Sequence, residues 1–140
     1  MEQARVSPFR APRVAPRWVH ALEAIDRVLR EKPEVRKQLE AVITDALAGQ
    51  DLASLSAEQW LRALLVQQAS RYDESWMEFC LNDSRACRAF CGLVDVYIPN
   101  PTIRANLRQL DEATWREIEP VLRSHVGRAW RKQYRTRVIG

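Results

Sequence analysis

Apolar residues recur every three or four positions along most of this 140-residue chain, and no stretch alternates apolar with polar side chains. Spacing of this kind places apolar residues on one face of a helix, whereas a half-buried strand needs a period of two. The sequence therefore predicts an all-α fold, a multi-helix bundle. The inward positions, Trp18 and Trp76 among them, fall within residues 18–29, 35–47, 60–65, 76–81, 87–91, 103–110 and 115–126.

Several helix starts are marked by side chains that can accept hydrogen bonds from the first helical turn. Ser56 and Gln59 have the spacing of a capping box, and Asn100 followed by Pro101 suits a cap and a first helical position. Pro120 is expected to kink or restart the last helix, because its ring clashes with the preceding turn. The segment 93–99 is predicted to be a loop, since a single strand would lack a partner. Further caps are predicted at Asp73, Asp83 and Asp111.

The formal net charge of +4 is unevenly distributed along the chain. Residues 1–20 carry +3 and residues 121–140 carry +6, which leaves −5 on the hundred residues between them. Basic ends on a mildly acidic body suit a polyanionic partner, because positive charge is concentrated where it can contact phosphates. We expect a flexible basic arm over residues 1–17, a helical DNA-binding domain over 18–126 and a basic tail over 127–140.

The sequence also limits where the protein resides. No apolar run approaches the length that a membrane span needs, and the first twenty residues lack the apolar core of a signal peptide. Three cysteines, an odd number, favour a reducing compartment. We therefore expect a soluble cytoplasmic protein without a membrane partner.

Signatures of catalysis are absent from the sequence, which contains no phosphate-binding glycine loop, HExxH, CxxC or GxSxG motif. Cys80, Cys87 and Cys91 with one histidine form a conceivable zinc set, but their spacing is not a common one for zinc. We expect these cysteines to be reduced core residues. The sequence thus predicts no catalytic activity, no cofactor and no metal site.

The segment 101–110 is the candidate for reading double-stranded DNA. Arginine can bridge O6 and N7 of guanine, and Asn or Gln can pair with adenine. Together with residues 84–91 it predicts a helix-turn-helix-like unit, although the link between the two helices is longer than the usual turn. The alternative is an ordinary surface helix whose arginines face water. The predicted contacts are Thr102, which suits a phosphate, and Arg104, Asn106, Arg108 and Gln109.

The basic tail interleaves cationic side chains with Trp130 and Tyr134. Cations suit phosphates and aromatic rings suit exposed bases or sugars, so this pattern favours contact along a DNA backbone. The alternative is a solvated helix end whose Trp130 packs on the core, and packing is the favoured role for that residue. The predicted DNA contacts in the tail are Arg128, Arg131, Lys132, Arg135 and Arg137.

The order of segments "SAEQWLRALLVQQ", "YDESWMEFCLNDS", "RAFCGL" and "PTIRANLRQL" resembles the N-terminal region of bacterial insertion-sequence transposases of the DDE, RNase H-like type. The resemblance covers roughly residues 18–125. It implies recognition of transposon terminal inverted repeats during DNA transposition and recombination, with "PTIRANLRQL" as the recognition helix. It also implies that a catalytic core would follow "YRTRVIG", so we expect this chain to lack the DDE residues and to act near the bacterial nucleoid.

An alternative function is a helical protein-interaction or dimerisation module without DNA binding. In that case the aromatic stripes would pack against a partner or against a second copy in a homo-oligomer. This hypothesis predicts a stable oligomer and no salt-dependent affinity for DNA.

Overall fold

A computed structural model describes residues 8–127, which form seven α-helices and contain no β-strand. The predicted all-α fold and the predicted order of helices are confirmed. No helix in this range is long and apolar enough to cross a membrane. The helices are α1 (Arg17–Glu31), α2 (Pro33–Ala46), α3 (Ala57–Ser70), α4 (Glu74–Asp83), α5 (Arg85–Cys91), α6 (Asn100–Gln109) and α7 (Glu112–Val126).

Most of the predicted caps are confirmed. The Ser56 hydroxyl accepts from the Gln59 amide at 3.1 Å, and the Gln59 side chain accepts from the Ser56 amide at 2.9 Å, which completes the capping box. Asp73 and Asp111 accept hydrogen bonds from the amides three residues later, at the starts of α4 and α7. These caps were predictable because each depends only on residues within one helical turn.

Two predicted caps are wrong. α5 is capped by the Ser84 hydroxyl rather than by Asp83, which is the last residue of α4. α6 begins at Asn100 itself, after Pro99, and has no side-chain cap. The structure thus places Pro101 in the second helical position, where a missing backbone donor still costs nothing within the helix.

Pro120 does not restart the last helix, because α7 continues through it from Glu112 to Val126. Ile118 and Leu122, on either side of the proline, are both fully buried. Burial of these two side chains fixes both halves of α7 on the core and outweighs the local cost of the ring.

α3 lies at the centre of the bundle and packs against α1, α2 and α5. Trp60, Leu61, Leu64 and Leu65 are completely buried, as expected for a helix that is apolar around most of its circumference. The indole Nε1 of Trp60 donates to the carbonyl of Leu52 at 3.1 Å, so its one polar atom is satisfied.

The described part of the basic arm, residues 8–16, is not helical but is attached to the bundle. Phe9 is buried, and its ring meets Phe90 edge to face with centroids 5.4 Å apart. The Phe9 amide also donates to a carboxylate oxygen of Asp26 at 3.1 Å. Sequence periodicity gave no sign of this anchor, because a single aromatic residue among prolines has no pattern.

Candidate nucleic-acid interface

α6 is supported mainly by α4, which packs against both α5 and α6. Ile103 and Leu107 of α6 are buried, so the helix presents the opposite face to solvent. The predicted helix-turn-helix pair α5–α6 does not form a strong packing pair. The arrangement is a three-helix unit in which α4 contacts the other two helices.

Asn82, near the end of α4, fixes the segment that leads into α6. Its amide nitrogen donates to the Ile98 carbonyl at 2.8 Å, and its amide oxygen accepts from the Ile98 backbone nitrogen at 2.9 Å. Ile98 is fully buried, which places the two hydrogen bonds beside an apolar anchor. The start of α6 is therefore held by contacts from another helix instead of by a cap of its own.

Arg88 has a structural role in the same region. Its guanidinium donates to the carbonyls of Leu81 at 2.7 Å, of Val96 at 2.8 Å and of Leu93 at 3.4 Å. These bonds join the end of α4 to the loop after α5, and the segment 93–99 is a loop as predicted. A side chain engaged in this way is not a candidate for DNA contact.

Arg104 and Arg108 lie one turn apart on α6, and each forms an ion pair with a glutamate of α4. Arg108 contacts both carboxylate oxygens of Glu74, with Nε to Oε1 at 2.6 Å and Nη2 to Oε2 at 2.9 Å. Nε of Arg104 donates to Glu78. The two arginine side chains remain 47% and 69% exposed. We call these four residues the α4–α6 ladder.

The ladder also affects protonation of its members. The hydrogen bond from Arg108 lowers the pKa of Glu74, and the hydrogen bonds to Glu78 and Glu74 raise the pKa of Arg104 and of Arg108. These shifts favour the charged forms of Glu74, Arg104 and Arg108, and the formal charges of two acids and two arginines cancel. The acidic partners were missed in the sequence, because Glu74 and Glu78 are 34 and 26 residues away from the arginines that they bind.

Asn106 does not lie on the exposed face of α6, so its predicted contact with DNA is not supported. Its side chain is 1% exposed, and its amide nitrogen donates to the carbonyl of Asp51 at 2.8 Å. Its amide oxygen is buried without a hydrogen-bond partner. Asn106 thus joins α6 to the segment before α3. Helical spacing could have predicted that Asn106 is buried, since position 106 is three residues after Ile103 and four before Leu110.

The other predicted contacts divide between α6 and the tail. Gln109 is exposed and Thr102 is partly exposed, on the same helix as the two ladder arginines. Residues 8–127 contain 16 basic and 17 acidic residues, and the positive excess of the chain comes from residues 128–140. The predicted contacts Arg128, Arg131, Lys132, Arg135 and Arg137 are outside the described residues.

An aromatic cluster occupies a second part of the surface. Trp18, Tyr72, Trp76 and Phe79 follow one another with ring centroids 5.5, 5.8 and 5.9 Å apart. Trp76 is 56% exposed, so its predicted inward position is wrong, and Phe79 is also exposed. Trp76 lies at the edge of the apolar stripe formed by Met77, Cys80 and Leu81, which explains the error.

The three cysteines are buried core residues without disulfides, which confirms the packing role predicted for them. Cys80 and Cys87 hydrogen-bond to each other, and this bond and burial raise the pKa of Cys80. Burial raises the pKa of Cys91. Over residues 8–127, no group of His, Cys, Asp and Glu side chains could hold a metal ion.

No protein family, curated protein or solved structure matches this chain.

Proposed function

We propose that this chain binds double-stranded DNA as the end-recognising part of a transposase-like protein. In this role it would recognise terminal inverted repeats during transposition and recombination, near the nucleoid and without a catalytic step of its own. The observation that carries the proposal is the placement of Arg104 and Arg108, one turn apart on the exposed face of a helix whose other face is buried. That is the arrangement a helix needs to present arginines to a major groove.

The charge distribution supports a division of roles within the chain. The body formed by residues 8–127 has a formal charge of −1, whereas residues 128–140 carry +5. Attraction to phosphates, which is independent of sequence, would come mostly from the tail. Contacts to base edges would come from Arg104, Arg108 and Gln109 of α6, with Thr102 at the start of the helix suited to a phosphate.

The proposal is tested by measuring affinity for duplexes by fluorescence anisotropy over a range of salt concentrations. A preferred duplex is first selected from a random-sequence library with the full chain. We expect Arg104→Gln to reduce the preference for that duplex over a random one by roughly tenfold. Arg131→Gln and Arg135→Gln should each weaken both duplexes and reduce the salt slope by about 1.

Arg116→Gln is the matched control, because it removes one positive charge from an exposed side chain that belongs to α7 and pairs within that helix. It should leave the preference between the two duplexes unchanged. If the wild-type chain binds no duplex even at low salt, or if Arg104→Gln and Arg116→Gln have the same effect, α6 is not a reading helix.

A second candidate function is self-association through the aromatic cluster, and the exposure of Trp76 and Phe79 is the observation that favours it. Contiguous exposed aromatic rings are typical of protein interfaces. This candidate predicts a stable homo-oligomer in light scattering, which Trp76→Arg would convert to monomers, and no salt-dependent binding of DNA. A monomeric wild-type chain at high concentration would exclude it.

A further inference from the structure

The α4–α6 ladder differs from the ion pairs on the surface of α7. Arg116 pairs with Glu112, and Arg123 with Glu119, one turn away on the same helix α7. In the ladder, by contrast, both acids belong to α4 and both arginines belong to α6. Each helix contributes two side chains four positions apart, so the two ion pairs lie one helical turn apart along the contact between α4 and α6.

The ladder changes what its arginines can attract. An unpaired arginine on a DNA-facing helix is drawn to any phosphate, because charge attraction does not depend on base sequence. A carboxylate in direct contact cancels most of that attraction at the distance of a phosphate, since the pair then acts as a dipole. Arg104 and Arg108 are therefore poor phosphate ligands while the ladder is intact.

The same pairing leaves directional hydrogen-bond donors available. Glu74 takes Nε and Nη2 of Arg108, and Nη1 of Arg108 has no hydrogen-bond partner within residues 8–127. A guanidinium has five donor protons in a rigid plane, so the edge formed by Nη1 and the second proton of Nη2 can still bridge O6 and N7 of a guanine. While the pair is formed, its two parallel hydrogen bonds also restrict the plane of the Arg108 guanidinium to one orientation.

We propose that Glu74 and Glu78 are specificity-determining positioning residues, which suppress phosphate binding by Arg108 and Arg104 and hold the two guanidiniums for contact with base edges. This inference rests on the proposed DNA-binding function, and it adds that the acids of α4 set the ratio between preferred and random sequences. The chemical class recognised is a guanine edge in a major groove, with a phosphate as the ligand that the acids exclude.

The test uses the full chain with both acids neutralised, Glu74→Gln and Glu78→Gln together. Glutamine preserves the size of each side chain and keeps an oxygen that can accept from the arginine, so the variant should fold although the Glu78 side chain is only 11% exposed. We expect affinity for a random-sequence duplex to increase by about tenfold and the salt slope to steepen by about 1 to 2, because two cations become free for phosphates. The preference for the selected duplex should fall correspondingly.

Two controls distinguish the effect of the ladder acids on DNA binding from the effect of a change in net charge alone. Glu112→Gln with Glu117→Gln changes the net charge by the same amount on α7, and it should leave the preference for the selected duplex unchanged. In a chain that already carries Arg104→Gln and Arg108→Gln, neutralising Glu74 and Glu78 should change random-duplex affinity no more than the α7 control does.

The outcomes separate the two proposals. If wild type binds duplexes with a preference, but neutralising the α4 acids acts like the α7 control, this inference is overturned and the DNA-binding function stands. The inference is likewise overturned if the α4 variant binds the selected duplex more weakly and the random duplex no better. If wild type binds no duplex at all, the proposed function fails and the inference fails with it.

Discussion

Asp26 of α1 and Arg62 of α3 form an ion pair inside the protein, with Nη1 and Oδ1 2.7 Å apart and side chains that are 3% and 5% exposed. The second oxygen of Asp26 accepts from Nε of Arg30 at 2.9 Å and from the Phe9 amide. Arg62 also donates to Glu58 and to the carbonyl of Phe90. These polar contacts join the arm, α1, α3 and α5. The two charges are costly to bury, but their hydrogen bonds hold four segments of the chain together.

Removing one partner of this pair should be strongly destabilising. Asp26→Ala leaves the buried guanidinium of Arg62 without its partner on α1, and we expect the free energy of unfolding to fall by about 3 to 5 kcal/mol. Urea denaturation followed by circular dichroism measures the change. Arg116→Ala, at a pair whose side chains are about three-quarters exposed, is the control and should cost less than about 1 kcal/mol. Equal losses in the two variants would contradict a structural role for the buried pair.

The particular features that were predictable from the sequence are those decided within one helical turn. The capping box of Ser56 and Gln59 and the cap at Asp73 depend on neighbouring residues alone. The partner of Arg108 is different, because Glu74 becomes its neighbour only when α4 and α6 pack together. Periodicity identified the exposed face of α6 but could not show that its charges are compensated. Periodicity predicts an inward Trp76, and this is wrong because a residue at the edge of an apolar stripe faces the core or solvent according to how the neighbouring helices pack.

Asn82 should control the order of the segment that leads into α6. Asn82→Ala removes both hydrogen bonds to Ile98 and leaves backbone groups beside a buried side chain unsatisfied. We expect a loss of about 1 to 3 kcal/mol in stability. Hydrogen exchange should accelerate at the Ile98 amide more than in α3. Asp83→Ala, at the exposed neighbouring position, is the control and should leave exchange at Ile98 unchanged; identical exchange in both variants would show that Asn82 does not hold the segment.

Asn106 should be sensitive to charge but tolerant of an apolar replacement. Asn106→Asp places a carboxylate in a buried position facing the Asp51 carbonyl, where the amide nitrogen now donates. We expect a loss of about 3 kcal/mol near neutral pH, and a smaller loss at acidic pH where the new carboxyl is protonated. Asn106→Leu also removes the unpaired amide oxygen, so it should cost about 1 kcal/mol or less.

Thermal denaturation at two pH values distinguishes these expectations for Asn106. If Asn106→Leu were as damaging as Asn106→Asp, the hydrogen bond to Asp51 would be the main contribution, and burial of a charge would not be the cause.

The ladder gives Glu74 a pH dependence whose direction follows from its pairing. The Arg108 guanidinium lowers the pKa of Glu74 below its ordinary value of 4.5, so the folded chain keeps this carboxylate charged at pH values where the unfolded chain protonates it. The stabilisation by this pair is therefore complete above the unfolded pKa and is lost as the pH falls through the folded pKa. A carbon-13 NMR titration of the Glu74 carboxyl should have a midpoint below 4.5 in wild type. In Arg108→Gln the midpoint should move upward, whereas in the control Arg116→Gln it should stay in place. An unchanged midpoint in Arg108→Gln would mean that this ion pair does not form in solution, and it would remove the basis for assigning a positioning role to Glu74.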